Sequence, residues 1–163
     1  MPEEVSPSIG PALRDSSVLV MAGTQSGNAV LVAEVLCDAL VAAGAREVRL
    51  LPEGETPDPA LPHVDLLVVC VASHGEGELP DSFEPVFEAL SSATPELTHV
   101  RYGLVALGDR TYKHFCGGGH RFAALLDRLG ARRMGEICEV DASSQPFPDD
   151  AASKWLEHWI AVL

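Results

Sequence analysis

Apolar and polar positions follow each other along the chain in blocks whose period changes between strand-like and helix-like. Val18, Leu19, Val20 and Met21 form a short apolar run that ends at Gly23. Small polar residues around Gly27 follow, and a helical pattern then begins at once, with Ala29, Ala33, Leu36, Cys37 and Leu40 at helix spacing and Gly44 closing it. Residues 47–51 predict a short second strand. Pro52, Pro57, Pro59 and Pro62 then predict a loop where a helix would otherwise run. Residues 65–71 are nearly all apolar, the pattern of a central parallel strand covered on both faces. A glycine-broken acidic loop, ASHGEGELPDS, leads to a helix with Asp81 at its cap, Glu84 three residues later, and Phe83, Val86, Phe87 and Leu90 facing inward. Residues 100–107 predict a fourth strand. The loop GDRTYKHFCGGG and a helix built on Phe122, Leu125, Leu126 and Leu129 come next. Residues 133–140 predict a fifth strand, and Asp149 or Asp150 is expected to cap a final helix whose Trp155 and Trp159, one turn apart, belong to the core.

Strands alternating with helices predict a parallel α/β sheet with right-handed crossovers. For five strands the doubly wound order 2-1-3-4-5 brings the loops after strands one, three and four together at the carboxyl edge of the sheet. The length of 163 residues suits one domain. Residues 1–15 are expected to be a mobile tail and residues 16–163 the folded domain.

Charge narrows the choice of partner. Eleven basic residues against twenty-four acidic ones give a net charge of −13, which argues against nucleic acid. Residues 76–96 hold six acids and no base, whereas residues 101–133 hold seven bases and two acids. Such an acidic flank, with Glu76, Glu78, Asp81 and Glu84, would steer a basic protein. It also suits a plain solvated helix face. No apolar run reaches the ~18 residues of a membrane span, and the acidic, proline-bearing start does not read as a signal peptide. Cys37, Cys70, Cys116 and Cys138 lack CxxC spacing, so reduced thiols in a cytoplasmic protein are expected rather than disulfides or a metal site.

The chemistry lies in the three loops. A strand–turn–helix at Val18–Ala29 aims backbone N–H groups and a helix N-terminus at the sheet edge, where anions bind. Thr24, Ser26 and Asn28 add side-chain donors there, and Gly27 permits close approach. The GxxxxGK[ST] loop of nucleotide triphosphatases and the GxGxxG dinucleotide fingerprint are both absent, and no Lys or Arg lies between Arg14 and Arg46. A neutral cradle of this kind suits one terminal monophosphate, held by charge-assisted hydrogen bonds of roughly 1.5–3 kcal/mol each. An ordinary βα turn with a polar cap has the same composition. In the other two loops, glycines expose backbone groups able to pair with the edge of a heterocycle, while His74 and Tyr112 can lie flat on a planar ring. No G-x-S-x-G elbow is present. A planar polar ring with one terminal phosphate describes flavin mononucleotide (FMN).

The segments AGTQSGNA, SHGEGELPDS and ALGDRTYKHFC resemble the phosphate loop and the two ring-binding loops of the flavodoxin superfamily, including the FMN domains of diflavin reductases. With the remainder from FCGGG to WLEHWIAVL, the chain is most similar to short flavodoxins of the MioC type. The resemblance implies that Thr24, Gln25, Ser26, Gly27, Asn28 and Ala29 hold the phosphate. It implies that Ser73, His74, Gly75, Glu76 and Gly77 line one side of the flavin ring, and Leu107, Gly108, Asp109, Tyr112, Phe115 and Cys116 the other. Tyr112 matches the family's stacking tyrosine; His74 stands where many relatives carry Tyr or Trp. The Gly75 carbonyl would turn toward flavin N5 when that atom gains a proton. Glu76, Glu78 and Asp109 would disfavour negative charge on the reduced ring, each carboxylate at ~10 Å by roughly 0.4–1.7 kcal/mol, making it a strong reductant.

The function so implied is a one-electron carrier, expected to be monomeric, that takes electrons from an NAD(P)H-dependent flavin reductase and passes them to an acceptor redox enzyme. The alternative on the same fold is an FMN-dependent quinone or nitro-compound reductase, but no segment is long enough to build a substrate pocket over the ring. A phospho-acceptor receiver domain shares the topology. It would need acids where Gly23-Thr24 and Ala72-Ser73 stand.

Overall fold

The computed structural model describes residues 13–24, 27–52, 54–73 and 77–163. Its strands are β1 (Ser17–Gly23), β2 (Glu47–Leu50), β3 (Leu66–Ala72), β4 (Arg101–Gly108), β5 (Arg132–Arg133) and β6 (Cys138–Asp141), and its helices α1 (Asn28–Ala42), α2 (Glu84–Ala93), α3 (Gly117–Arg128) and α4 (Pro148–Ala161). All strand pairs are parallel, in the order β2-β1-β3-β4-β5, with β6 also paired to β4.

Strand periodicity divides the apolar residues between two cores. Leu67, Val69 and Val71 of β3 join Met21 and Leu104 beneath α2 and α3, which contribute Val86, Leu90, Phe122 and Leu126. Leu66, Val68 and Cys70 join Val18, Val20 and Val105 beneath α1 and α4, which contribute Val32, Leu36, Leu40, Leu156 and Trp159. β3 is buried along both faces, so its near-continuous apolar sequence has a direct cause. α1 stops where Gly44, at φ +99°, lets the chain reverse, with the Gly44 and Ala45 N–H groups donating to Val41 and Leu40 carbonyls.

Three local expectations change. The fifth strand is two short segments, because Gly135 at φ +76° breaks the extended run between β5 and β6. The Trp155 indole N–H donates to the Glu136 carbonyl in that break, at 2.9 Å. Asp81 is not the cap of α2: residues Asp81–Phe83 form a 3-10 turn, and α2 starts after Phe83 with a proline in its first turn. α4 likewise starts at Pro148 after Phe147. Asp149 and Asp150 lie in its first turn, where negative charge suits the helix dipole, rather than at the cap. The expected tail, residues 1–15, falls within the described residues only at Leu13–Asp15, a 3-10 turn whose Leu13 packs against the α1/α4 core.

Trp155 and Trp159 stack with ring centroids 5.7 Å apart against Gly103 of β4, as their helical spacing predicts. No helix among the described residues is long and apolar enough to cross a membrane.

Candidate functional site

β1 delivers Thr24 to the carboxyl edge of the sheet as a buried residue. Its N–H donates to the Ser82 hydroxyl at 3.1 Å, and that hydroxyl donates back to the Thr24 carbonyl at 3.1 Å, so the turn is anchored to the segment preceding α2. The Thr24 hydroxyl accepts the Gly27 N–H at 2.7 Å and keeps its own proton to give to a ligand. Gly27 precedes α1 at φ +94°, with open space where a side chain would stand. The first N–H groups of α1, unpartnered within the helix, begin there.

Beside this turn lies a cavity of about 270 Å³. Asn28 reaches it from the first loop, Ser73 and Gly77 from the second, and Leu107, Gly108, Asp109, Tyr112 and Cys116 from the third. Ser73 ties the end of β3 to β4 and to α3: its N–H donates to the Leu107 carbonyl at 2.8 Å, and its hydroxyl accepts the Gly118 N–H at the start of α3 at 3.0 Å. Gly77 combines φ +112° with an approach that would put any Cβ 2.3 Å from the His114 carbonyl oxygen, so only glycine fits between the two loops. Tyr112 stands at the mouth, 54% exposed, as an aromatic face available to a ring.

A fourth loop, between β6 and α4, completes the cavity through Ala142, Gln145 and Pro146. Its centre is Asp141, a buried carboxylate. It accepts the Arg110 backbone N–H at 3.0 Å, the Ser143 N–H at 3.0 Å and hydroxyl at 2.7 Å, and the Ser144 hydroxyl at 3.3 Å. The Arg110 backbone bond, followed by the Ser143 hydroxyl, holds its carboxyl below the ordinary range, at about 2. The Arg110 guanidinium lies 3.5 Å from Asp141 and 4.3 Å above the centre of the Phe115 ring. Among the described residues no lysine or arginine lines the cavity.

Not all the expected residues face this space. Thr24 and Gly27 stand beside the lining rather than in it, Ala29 is buried in the α1 core, and Phe115 packs beneath Arg110 away from the lining. Gln25, Ser26, His74, Gly75 and Glu76 lie outside the described residues. Cys116 is a buried thiol that donates to the Ala106 carbonyl at 3.4 Å; burial foremost, with Glu139 adding to it, pushes its pKa up to about 12. It is therefore an inert packing group rather than a nucleophile. Of the acids expected to steer a partner, Glu78 and Asp81 are exposed, while Glu84 lies 3.7 Å from Arg121. Asp141 and Gln145 were not singled out from the sequence, although the Asp-x-Ser spacing of residues 141–143 was a readable turn signal.

The sequence profile of the flavodoxin family matches residues 20–155. Flavodoxin YqcA of Escherichia coli (strain K12) is 38% identical over 145 residues, covering 88% of this chain and 96% of that protein. Protein MioC of the same strain is 32% identical over 148 residues, covering 91% and 99%. Among solved structures, a cysteine-to-alanine mutant of flavodoxin from Pseudomonas aeruginosa superposes with a TM-score of 0.82 at 30% identity, over 90% of this chain and 98% of that one.

Proposed function

The chain belongs to the flavodoxin family, and from that premise we propose that it is a monomeric, cytoplasmic one-electron carrier between an NAD(P)H-dependent flavin reductase and an acceptor redox enzyme. Its cofactor is FMN. The observation that carries the reading is the convergence of four loops on one cavity with an exposed tyrosine at its mouth and a neutral donor turn beside it. The likeness of the loops to the FMN domains of diflavin reductases supports the choice of donor. The shortness of the connections, residues 142–147 included, supports a carrier rather than an enzyme with its own substrate pocket.

The residues present fit FMN. Thr24, Gly27 and Asn28 supply hydroxyl and amide donors without a cation, which suits a single phosphate whose charge is met by oriented N–H groups and the α1 dipole. Gln25 and Ser26, by their place in the sequence between Thr24 and Gly27, would add donors to the same phosphate, while Ala29, buried in α1, would contribute its backbone N–H alone. Tyr112 offers a ring face, and Ser73, Gly77, Leu107, Gly108, Asp109 and Cys116 form the surrounding walls. His74, Gly75 and Glu76 would complete the wall opposite Tyr112, with the Gly75 carbonyl as acceptor for a proton at flavin N5. The flavin supplies the electron chemistry; the protein binds and orients it and sets the surrounding charge. Asp109 stands in the wall with its Oδ1 accepting the Thr111 N–H at 2.9 Å, and its carboxylate, held there, would oppose negative charge on a ring bound in the cavity.

Adding FMN to the purified flavin-free protein is expected to quench flavin fluorescence at a 1:1 stoichiometry. Potentiometry is then expected to resolve two one-electron steps, and NAD(P)H oxidation to need an added reductase. No uptake of FMN, or rapid NAD(P)H oxidation without a reductase, would overturn the proposal.

A further inference from the structure

α1 is unusual for a helix on the surface of so charged a chain. Its only ionic residues are Glu34 and Asp38, and its outward positions include Leu31, 61% exposed, and Val35, 37% exposed. Exposed apolar residues in a group, rather than scattered singly, mark a contact surface. Here they border an open groove of about 430 Å³ between α1 and the start of α4, floored by Val32 and rimmed by Glu34, Asp38 and Asp149. Phe147, immediately before α4, is 65% exposed. The groove shares Asn28 and Pro148 with the cofactor cavity, so whatever occupies it meets that cavity's border.

Resting on the carrier reading above, we infer that this α1–α4 groove is the docking site for the redox partner, and that the partner presents apolar side chains flanked by lysine or arginine. Charge selects that occupant. The rim carries three carboxylates and no base among its lining residues, and the whole chain carries a net charge of −13. A second copy would set Glu34 and Asp38 against carboxylates of its own, whereas a basic rim would pair with them and be steered from a distance. The apolar floor gives the contact its affinity once water is expelled from Leu31 and Val35. This site differs from the acidic α2 flank: a partner there would meet Glu78 and Asp81 with, among the described residues, no comparable group of exposed apolar side chains.

The test uses the FMN-loaded protein and oxidised cytochrome c as probe, a basic protein whose apolar haem edge is ringed by lysines, followed by 15N–1H spectroscopy at several salt concentrations. Shifts are expected at Leu31, Val35 and Phe147. Leu31→Ser/Val35→Ser should weaken binding about fivefold with the salt slope kept, since only apolar burial is lost. Glu34→Gln/Asp38→Asn should weaken it similarly and flatten the slope, while Glu78→Gln/Asp81→Asn changes affinity less than about twofold. Affinities unchanged in both groove pairs, or a larger loss in the α2 pair, would overturn the assignment. So would a dimer dissolved by Leu31→Ser/Val35→Ser, which would give the groove to a second copy, or binding seen only after deletion of residues 1–12, which would give it to the chain's own N-terminus. Protein that takes up no FMN refutes the carrier reading alone, because the same affinities can be measured without flavin.

Discussion

Asp141 ties the fourth loop to the third, and its replacement separates support of the site from contact with it. It holds the Arg110 backbone N–H two positions before Tyr112 and restrains the guanidinium that covers Phe115. Asp141→Asn keeps the shape and loses the charge. It is expected to retain the far-ultraviolet spectrum but weaken FMN binding about tenfold, because the charge-assisted hydrogen bonds that hold the loop carrying Tyr112 are weakened; an unchanged Kd would show that Tyr112 is placed without it. The pH dependence has a definite sign. A carboxyl lowered to about 2 in the folded chain stabilises it above the ordinary carboxylate pKa near ~3.9 and ceases to do so as pH falls through about 2. Urea midpoints of wild type and Asp141→Asn should therefore differ at pH 6 and converge between pH 4 and pH 2. Thr24, Asn28 and Tyr112 were readable because turn chemistry and an aromatic in a polar loop are local signals. Asp141 was not, because its decisive partner, Arg110, is 31 positions away and only β4–β6 pairing makes them neighbours.

Elements were legible where one period dominates. β1, β3, β4 and α1 follow from their apolar runs and spacing; their alternation gives a parallel sheet, and its order is the doubly wound one that joins the loops after strands one, three and four. Reading failed at boundaries where two signals compete. Residues 133–140 suggested one continuous strand, and the positive φ of Gly135 prevailed. At α2 the Asp81–Glu84 spacing suggested a capping box, but Pro80 and Pro85 set the backbone instead. The fit of α4 on β4 yields a further prediction. A Cβ at Gly103 would stand 2.5 Å from the Trp159 indole nitrogen and 2.7 Å from Trp155, both held by their stack. Gly103→Ala is expected to lower unfolding free energy by ~1–3 kcal/mol in urea titration. No change would mean that the two indoles slide together to make room.

For the molecule as a whole, the excess of carboxylates works against compactness while it favours encounter with a basic partner. Raising ionic strength from about 10 mM to about 150 mM shortens the Debye length from roughly 30 to 8 Å. The thermal midpoint is expected to rise over that range while the rate of electron transfer to cytochrome c falls. Both moving together in the same direction would show that one set of charges does not govern both properties. The two margins of the sheet carry another consequence. At one margin β2 is four residues long, with Arg49 3.6 Å from Glu47; beyond β4 the sheet continues, among the described residues, only as the two-residue β5, made of arginines, and the four-residue β6, which carries Glu139. Neither offers a long uncharged backbone for a foreign strand to copy, so the fold is protected against amyloid-like growth even though its interior strands are among the most aggregation-prone sequences in the chain.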